Sequence, residues 1–358
     1  MEKHLEEFAL NYLKTYSPTG YEAAGQKVWL DYLKPFADDV MLDTYGTAVA
    51  VINPDTDYKV VIEAHADEIS WYVNYINAEG YIYLVRNGGS DPVIAPSKRV
   101  VIHTEKGLVP AVFGWPAIHV RKDENPMPSM KNVFLDCGCS SREEVDKLGV
   151  HVGCVVTFVD EPMFLNNRFL VARALDNRIG GIMIAEVARR IVQNGIKLPY
   201  TLYVVNSVQE EIGLRGAGMI AANLQPDVAI VTDVCHDSTA PMYNKQIEGE
   251  TACGKGAVLS YAPAVQNNLL KMIIDVAKEK EIPFQRKASD RSTGTDTDAF
   301  AYTGKGIASA LISIPLRYMH TTVESCHLED IEQVIKLMYE FLIQLPKNHD
   351  FRYFDPKK

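Results

Sequence analysis

The chain of 358 residues carries 46 Asp and Glu against 36 Lys and Arg, a formal net charge of −10, with 47% apolar residues. That composition belongs to a globular protein long enough for about two domains. No basic cluster marks a nucleic-acid or anionic-membrane surface, so neither is an expected partner.

The start, Met1-Glu2-Lys3-His4, lacks the basic-then-apolar pattern of a leader, and no apolar run reaches membrane-spanning length. Six scattered cysteines suit a reducing, cytoplasmic setting rather than a disulfide framework. Leu5, Phe8, Ala9, Tyr12 and Leu13 recur at helical spacing, which predicts an amphipathic helix over 2–15. Ser17-Pro18-Thr19-Gly20 stops it, and Thr19-Gly20-Tyr21-Glu22 has the form of a capping box for a second helix over about 22–36. Strands are expected at 40–43, 48–52 and 58–64, the last running into His65-Ala66-Asp67-Glu68.

From 72 to 163 the texture changes to short β-like runs at 80–85, 99–103, 107–112, 133–136 and 155–158, separated by Gly, Pro and Asn. One helix interrupts them at 141–148, with Ser141 as its cap. This stretch reads as a small β-barrel-like domain inserted into an α/β domain made of 1–71 and 164–358. The alternation then resumes: helix 177–192, strand 200–206, helix 216–222, strand 228–232, helix 267–280, strand 308–314 and helix 328–344, followed by a loose polar tail at 347–358. The expected fold class is α/β, with a mostly parallel central sheet flanked by helices, phosphorylase/hydrolase-like in outline.

Ligands of such sheets gather beyond the carboxyl ends of the strands. Those ends carry one kind of residue again and again. Strand 58–64 delivers His65 and Asp67, strand 200–206 delivers Glu210 and Glu211, and strand 228–232 delivers Asp233. Strand 308–314 opens into a loop with His320, and Asp176 stands just before a helix. Each has an ordinary reading taken singly: a satisfied His–Asp pair, a helix cap, a turn residue. Together they are seven groups on one edge, and carboxylates that close repel strongly unless a cation lies among them.

Two imidazoles and several carboxylates without paired cysteines suit Zn, Co or Mn rather than an iron–sulfur cluster. The inventory exceeds the three protein ligands of a single catalytic zinc and fits two ions sharing a carboxylate. Glu210, beside ligand Glu211, is then a free carboxylate suited to act as general base.

The motifs Ser17-Pro18-Thr19-Gly20-Tyr21-Glu22, His65-Ala66-Asp67-Glu68-Ile69, Ala174-Leu175-Asp176-Asn177-Arg178, Gln209-Glu210-Glu211-Ile212-Gly213, Thr232-Asp233-Val234 and Arg317-Tyr318-Met319-His320-Thr321 together resemble one family over nearly the whole chain. It is the dinuclear metal aminopeptidases that build hollow tetrahedral dodecamers, including glutamyl and deblocking aminopeptidases, some of whose relatives carry endoglucanase labels. The resemblance implies hydrolysis of N-terminal residues from peptide substrates, with two divalent ions, Zn or Co, per subunit. It places His65, Asp176 and Asp233 on one ion and Asp176, Glu211 and His320 on the other, with Asp176 bridging. It makes Asp67 the residue that orients His65, Glu210 the base, and 72–163 the domain that mediates assembly into a homo-oligomer.

Departures from the family pattern fall at Ala66, Ser70, Cys154 and the segment Gly294-Thr295-Asp296-Thr297-Asp298-Ala299-Phe300, none of them an implied ligand. Arg317 and the loop 290–300 are candidates for biasing the site toward acidic side chains. Three other readings stand beside the aminopeptidase: a dinuclear carboxypeptidase or deacylase, a metal-independent endoglucanase using two carboxylates, and a non-catalytic peptide-binding oligomer.

Overall fold

Two hydrophobic cores form, and the chain passes from the first to the second and back again. The computed structural model describes residues 1–121 and 127–354. Among them, one sheet of eleven strands runs in the order Asp39–Leu42, Ala48–Ile52, Thr201–Ser207, Lys59–His65, Val228–His236, Ala308–Arg317, Glu324–His327, Phe169–Ala172 and Met163–Leu165. Ala257–Tyr261 joins it beside Ala308–Arg317 and carries Phe284–Ala288.

The four central strands, Thr201–Ser207, Lys59–His65, Val228–His236 and Ala308–Arg317, are mutually parallel. The strands on either side of them along this order pair antiparallel, and only the outlying Ala257–Tyr261 and Phe284–Ala288 pair in parallel among the described flanking strands. The mostly parallel sheet expected from the helix–strand alternation is therefore a mixed one. The reason lies in the connections: the chain turns from Ala308–Arg317 into Glu324–His327 through a loop far shorter than the dozen or so residues a parallel crossover needs. Five strands of this sheet, among them Phe169–Ala172, Glu324–His327 and Phe284–Ala288, fall outside the expected ones. Phe284–Ala288, for example, reads Phe-Gln-Arg-Lys-Ala and is nowhere fully buried.

Helices flank the sheet. Leu175–Gln193 lies on Lys59–His65 and Val228–His236 and is enclosed in turn by Lys3–Lys14, Ala23–Leu33 and Leu328–Gln344. It is buried on nearly every side along its first fourteen residues, as a central helix must be. Gly180 lets it approach the strand, because a Cβ there would stand 2.8 Å from the Cβ of Ala64. That approach brings the start of the helix, with Asp176, over the end of the strand, with His65.

Past His65 the chain leaves the sheet and builds a closed barrel in the order Ser70–Ile76, Ile82–Asn87, Leu135–Asp136, Gly107–Phe113, Arg99–Thr104 and Val155–Phe158. Ser70 and Trp71 already pair in the barrel, and Met163 pairs in the large sheet. Closure leaves no free edge. Inside, the Trp71 ring meets Phe113 at 5.5 Å and Phe158 at 6.5 Å between centroids. The short helix Arg142–Lys147 is capped by Ser141, whose Oγ accepts the Glu144 N–H at 3.3 Å.

Two local expectations are corrected. Ala23–Leu33 has no capping box. The Thr19 hydroxyl donates to Asp67 instead (2.9 Å), and Glu22 accepts the N–H groups of Gly20 and Gln209 at 2.8 and 3.2 Å. The described part of the tail is docked rather than loose: Phe351 is buried, its carbonyl accepts from Gln266, and Tyr58 donates to the carbonyl of His349. Residues 355–358 of the expected tail lie outside the described residues.

Candidate metal centre

The parallel register puts Ser207 abreast of His65 and Asp233 abreast of Ser313. Lys59–His65 and Thr201–Ser207 end together, while Val228–His236 and Ala308–Arg317 run on about three residues further, so that His65, Asp233 and the residues after Ser207 converge. Asp176 sits between the two imidazoles: Oδ1 is 3.3 Å from Nε2 of His65, and Oδ2 is 3.3 Å from Nε2 of His320. Asp233 Oδ1 and Glu210 Oε2 each stand 3.9 Å from His65 Nε2, and Glu211 Oε1 is 3.4 Å from His320 Nε2. All seven residues singled out in the sequence meet here.

Three sets of donor atoms lie within 4.8 Å of one another: His65, Asp176 and Asp233; Asp176, Glu211 and His320; and His65, Glu210 and Glu211. The first two share Asp176. A cavity of about 20 Å³ borders Asp176, Glu211 and His320, enough for one small ion or one water.

Asp67 does not join these sets. It accepts the N–H groups of Glu210 (2.9 Å) and Glu211 (3.2 Å) together with the Thr19 hydroxyl. Its Oδ1 is also 3.3 Å from Nδ1 of His65, near but not aligned as a hydrogen bond. One buried carboxylate therefore braces the glutamate turn and stands behind the imidazole, the place from which a supporting carboxylate fixes a ligand ring.

Electrostatics sharpen the picture. Burial pushes Glu210 up to about 10, with Asp233, Asp296 and Glu211 adding to the rise and His65 opposing it. Burial likewise raises Glu211 and carries Asp233 well above the carboxylate range. Burial also works against ionisation of Asp176, yet the imidazoles of His320 and His65 hold it well below its ordinary value. The Asp176 and Glu211 carboxylates lift His320 to about 11. The ion pairs these carboxylates make are to His65 and His320. Hard oxygen and imidazole donors in excess of the positive charge around them are the donor set a divalent cation fits.

Some supporting residues carried no sequence signal. Glu324 is buried and accepts the N–H groups of both His320 (2.7 Å) and Asp176 (3.0 Å). It sits in the four-residue strand Glu324–His327, which nothing local marks as part of a site. Glu63, two residues before His65 and on the same face of the strand, shares the Ser207 hydroxyl with Asp296 (2.6 and 2.8 Å). Arg317, weighed as a determinant of acidic specificity, is already engaged: its Nε is 2.7 Å from the buried Asp237, and its guanidinium lies over the Phe169 ring.

A helix-flanked sheet with this donor set at the carboxyl ends of its parallel strands defines a metal-dependent hydrolase. The chain belongs to the M42 glutamyl aminopeptidase family, whose model matches residues 46–337, and it is an aminopeptidase, a hydrolase of peptide bonds. It is 34% identical over 337 residues to the lysyl aminopeptidase of Pyrococcus furiosus, covering 93% of this chain and 95% of that one. The fold is similar to the TET aminopeptidase of a marine sediment archaeon of the Thaumarchaeota, with a TM-score of 0.90, 29% identity and 96% of each chain covered. It is also similar to the Pyrococcus horikoshii TET1 peptidase, described as assembling into a tetrahedron or a large octahedral shell (TM-score 0.84, 25% identity, 95% of this chain and 100% of that one).

Proposed function

We propose that this aminopeptidase works with two divalent ions, Zn or Co, held by His65, Asp176 and Asp233 on one side and by Asp176, Glu211 and His320 on the other. The observation that carries this reading is Asp176, whose two oxygens each face a different imidazole at 3.3 Å. When bound, such a pair supplies Lewis acidity toward the scissile carbonyl and makes water easier to ionise.

The chain's own groups do the rest. Glu210 takes the proton from the attacking water and returns it to the leaving amine. Burial raises its proton affinity in the protein without a cation, the direction that favours taking the proton from water. Glu210 also belongs to a donor set with His65 and Glu211. Those two partners are already used in the paired sites, which leaves Glu210 free for the proton. Asp67 holds the turn that aims both glutamates.

A metal-independent endoglucanase would leave His65, Asp233 and His320 without a task, and a non-catalytic binder would have no use for so many raised carboxyls. A carboxypeptidase or deacylase is not what the family does. The substrates are peptides with a free amino end. The barrel, 72–163 in the sequence reading, is the surface for homo-oligomer assembly, with a tetrahedral dodecamer as the expected form: it exposes Tyr75, Leu108, Val112, Ile118 and Val152, more apolar side chain than a solvated barrel needs. The setting is cytoplasmic; among the described residues no helix is long and apolar enough to cross a membrane.

The test is Glu210→Gln, assayed on aminoacyl anilides with metal content measured in parallel. Turnover falls by about two to four orders of magnitude with both ions retained. Loss of metal along with activity would make Glu210 a ligand. Activity that survives chelation would end the metal reading altogether.

A further inference from the structure

The barrel borders the candidate metal centre through Phe158 and through the residues that follow its strand Ile82–Asn87. Its strand Ile82–Asn87 ends in Gly88 and Gly89. A Cβ placed on Gly89 would lie 2.7 Å from both Cε1 and Nδ1 of His320, and one on Gly88 would lie 3.2 Å from the Cβ of Glu211. Bare backbone is therefore pressed against two of the three residues assigned to the second ion. Gly88 has φ +80, where glycine is favoured, but Gly89 is not in the left-handed region, so the space taken by His320 is what excludes a side chain there.

The step is held rigidly from its own side. The Asn87 amide donates to the Thr19 carbonyl and to Ser70 Oγ, both at 2.8 Å, and the Ser90 hydroxyl donates to the Ser70 carbonyl at 2.6 Å. The loop carrying His320 is held from the other side: Glu324 accepts the His320 N–H, and Lys98 of the barrel donates to Thr322. With its main chain tied and a glycine backbone against its Nδ1–Cε1 edge, the His320 ring is bounded on the barrel side.

We infer that Gly89 is a positioning residue for the second ion, the one assigned to Asp176, Glu211 and His320; this rests on the two-ion reading above. A methyl group at 89 must displace the ring beyond the about 0.2 Å by which ligand distances can vary in a competent site. Any such shift turns the ring away from Asp176 and Glu211, because Nε2 already stands at 3.3 and 3.4 Å from their oxygens. The three atoms nearest a Cβ on Gly89 all belong to His320 and none to His65, Asp176 or Asp233, so the effect is selective. The inserted domain thus does more than present a surface: its backbone forms one wall of a ligand site.

The experiment titrates metal-stripped full-length protein with Co²⁺, following the absorption of bound cobalt and the bound stoichiometry after dialysis. Wild type takes up two ions. Gly89→Ala keeps the first ion at unchanged affinity and binds the second at least about tenfold more weakly, the scale of a lost ligand support. In a His320→Ala background the same change alters neither metal binding nor Tm, because its effect passes through the ring. Gly218→Ala, in an open helical position, serves as the control with metal binding unchanged. Two full-affinity ions in Gly89→Ala would overturn the inference and leave the two-ion reading intact. An equal loss of Tm with and without His320 would overturn it by making Gly89 a general packing residue. A wild-type protein that binds fewer than two ions would remove the reading on which it stands.

Discussion

Asp176 and His320 meet at 3.3 Å although one opens a helix after the barrel and the other follows the last parallel strand. The second oxygen of Asp176 is turned to His65 at the same distance, so one carboxylate joins two halves of the site.

That sharing predicts unequal losses on mutation. Asp176→Asn should cost both ions and reduce turnover by more than the about 10–100-fold of a supporting residue, whereas His320→Ala should leave one ion in place. Elemental analysis of dialysed protein decides it; retention of a full complement by the Asp176 variant would separate the two sites.

Asp67 touches three donors and a ligand ring without joining a donor set. Asp67→Asn is expected to weaken metal affinity or activity about 10–100-fold with the fold intact, read by chelator competition alongside far-UV circular dichroism. Unchanged affinity would reduce Asp67 to a brace for the glutamate turn.

Metal affinity should rise with pH. Without a cation, His320 is raised to about 11 and Glu210 to about 10, so both hold protons at neutrality. A cation taking the His320 imidazole must displace its proton, and cations and protons also compete across the raised Glu211 and Asp233. Binding therefore releases protons, and higher pH favours it. Calorimetry in buffers of different ionisation enthalpy measures that release; uptake of protons on binding would contradict the sign.

Stability should depend on a buried pair beside the site. Arg173 donates to Glu68, its guanidinium lies over the Tyr16 ring, and Glu68 also accepts the Ser17 N–H at 2.7 Å. The pair ties the chain leaving for the barrel to the chain returning from it, next to Asp67 and Asp176. Arg173→Met leaves Glu68 buried with only the more distant Arg178, 3.7 Å away, and should cost about 3–5 kcal/mol in urea unfolding. A loss below about 1 kcal/mol would show that Arg178 takes over the charge.

Much of the site was legible because its chemistry sits at abrupt ends of apolar runs. Val60-Val61-Ile62 lies just before His65, Leu202 to Val205 is followed by Glu210 and Glu211, and Val228 to Val231 leads to Asp233. Such apolar runs carry few charges, so a group that closely follows one stands out in the local sequence, whereas Glu63, buried inside Lys59–His65, did not. Five of the six barrel strands and the long helices were equally plain from turn residues and helical spacing; Ser70–Ile76 was not among the expected runs.

What local sequence could not express is where distant segments cross. The direction of Glu324–His327 follows from a short return loop, and its Glu324 serves two backbone N–H groups only because the strand lies between them. Thr19, read as a helix cap, went to Asp67 because folding brought a buried carboxylate within 2.9 Å. The order of ligands along the chain also leaves open which carboxylate is shared; Asp176 has that place because Gly180 lets its helix settle onto Ala64 beside His65. The inventory of donors was thus a property of the sequence. Their grouping, and the wall that Gly89 makes against His320, came from contacts between segments that carry no common pattern.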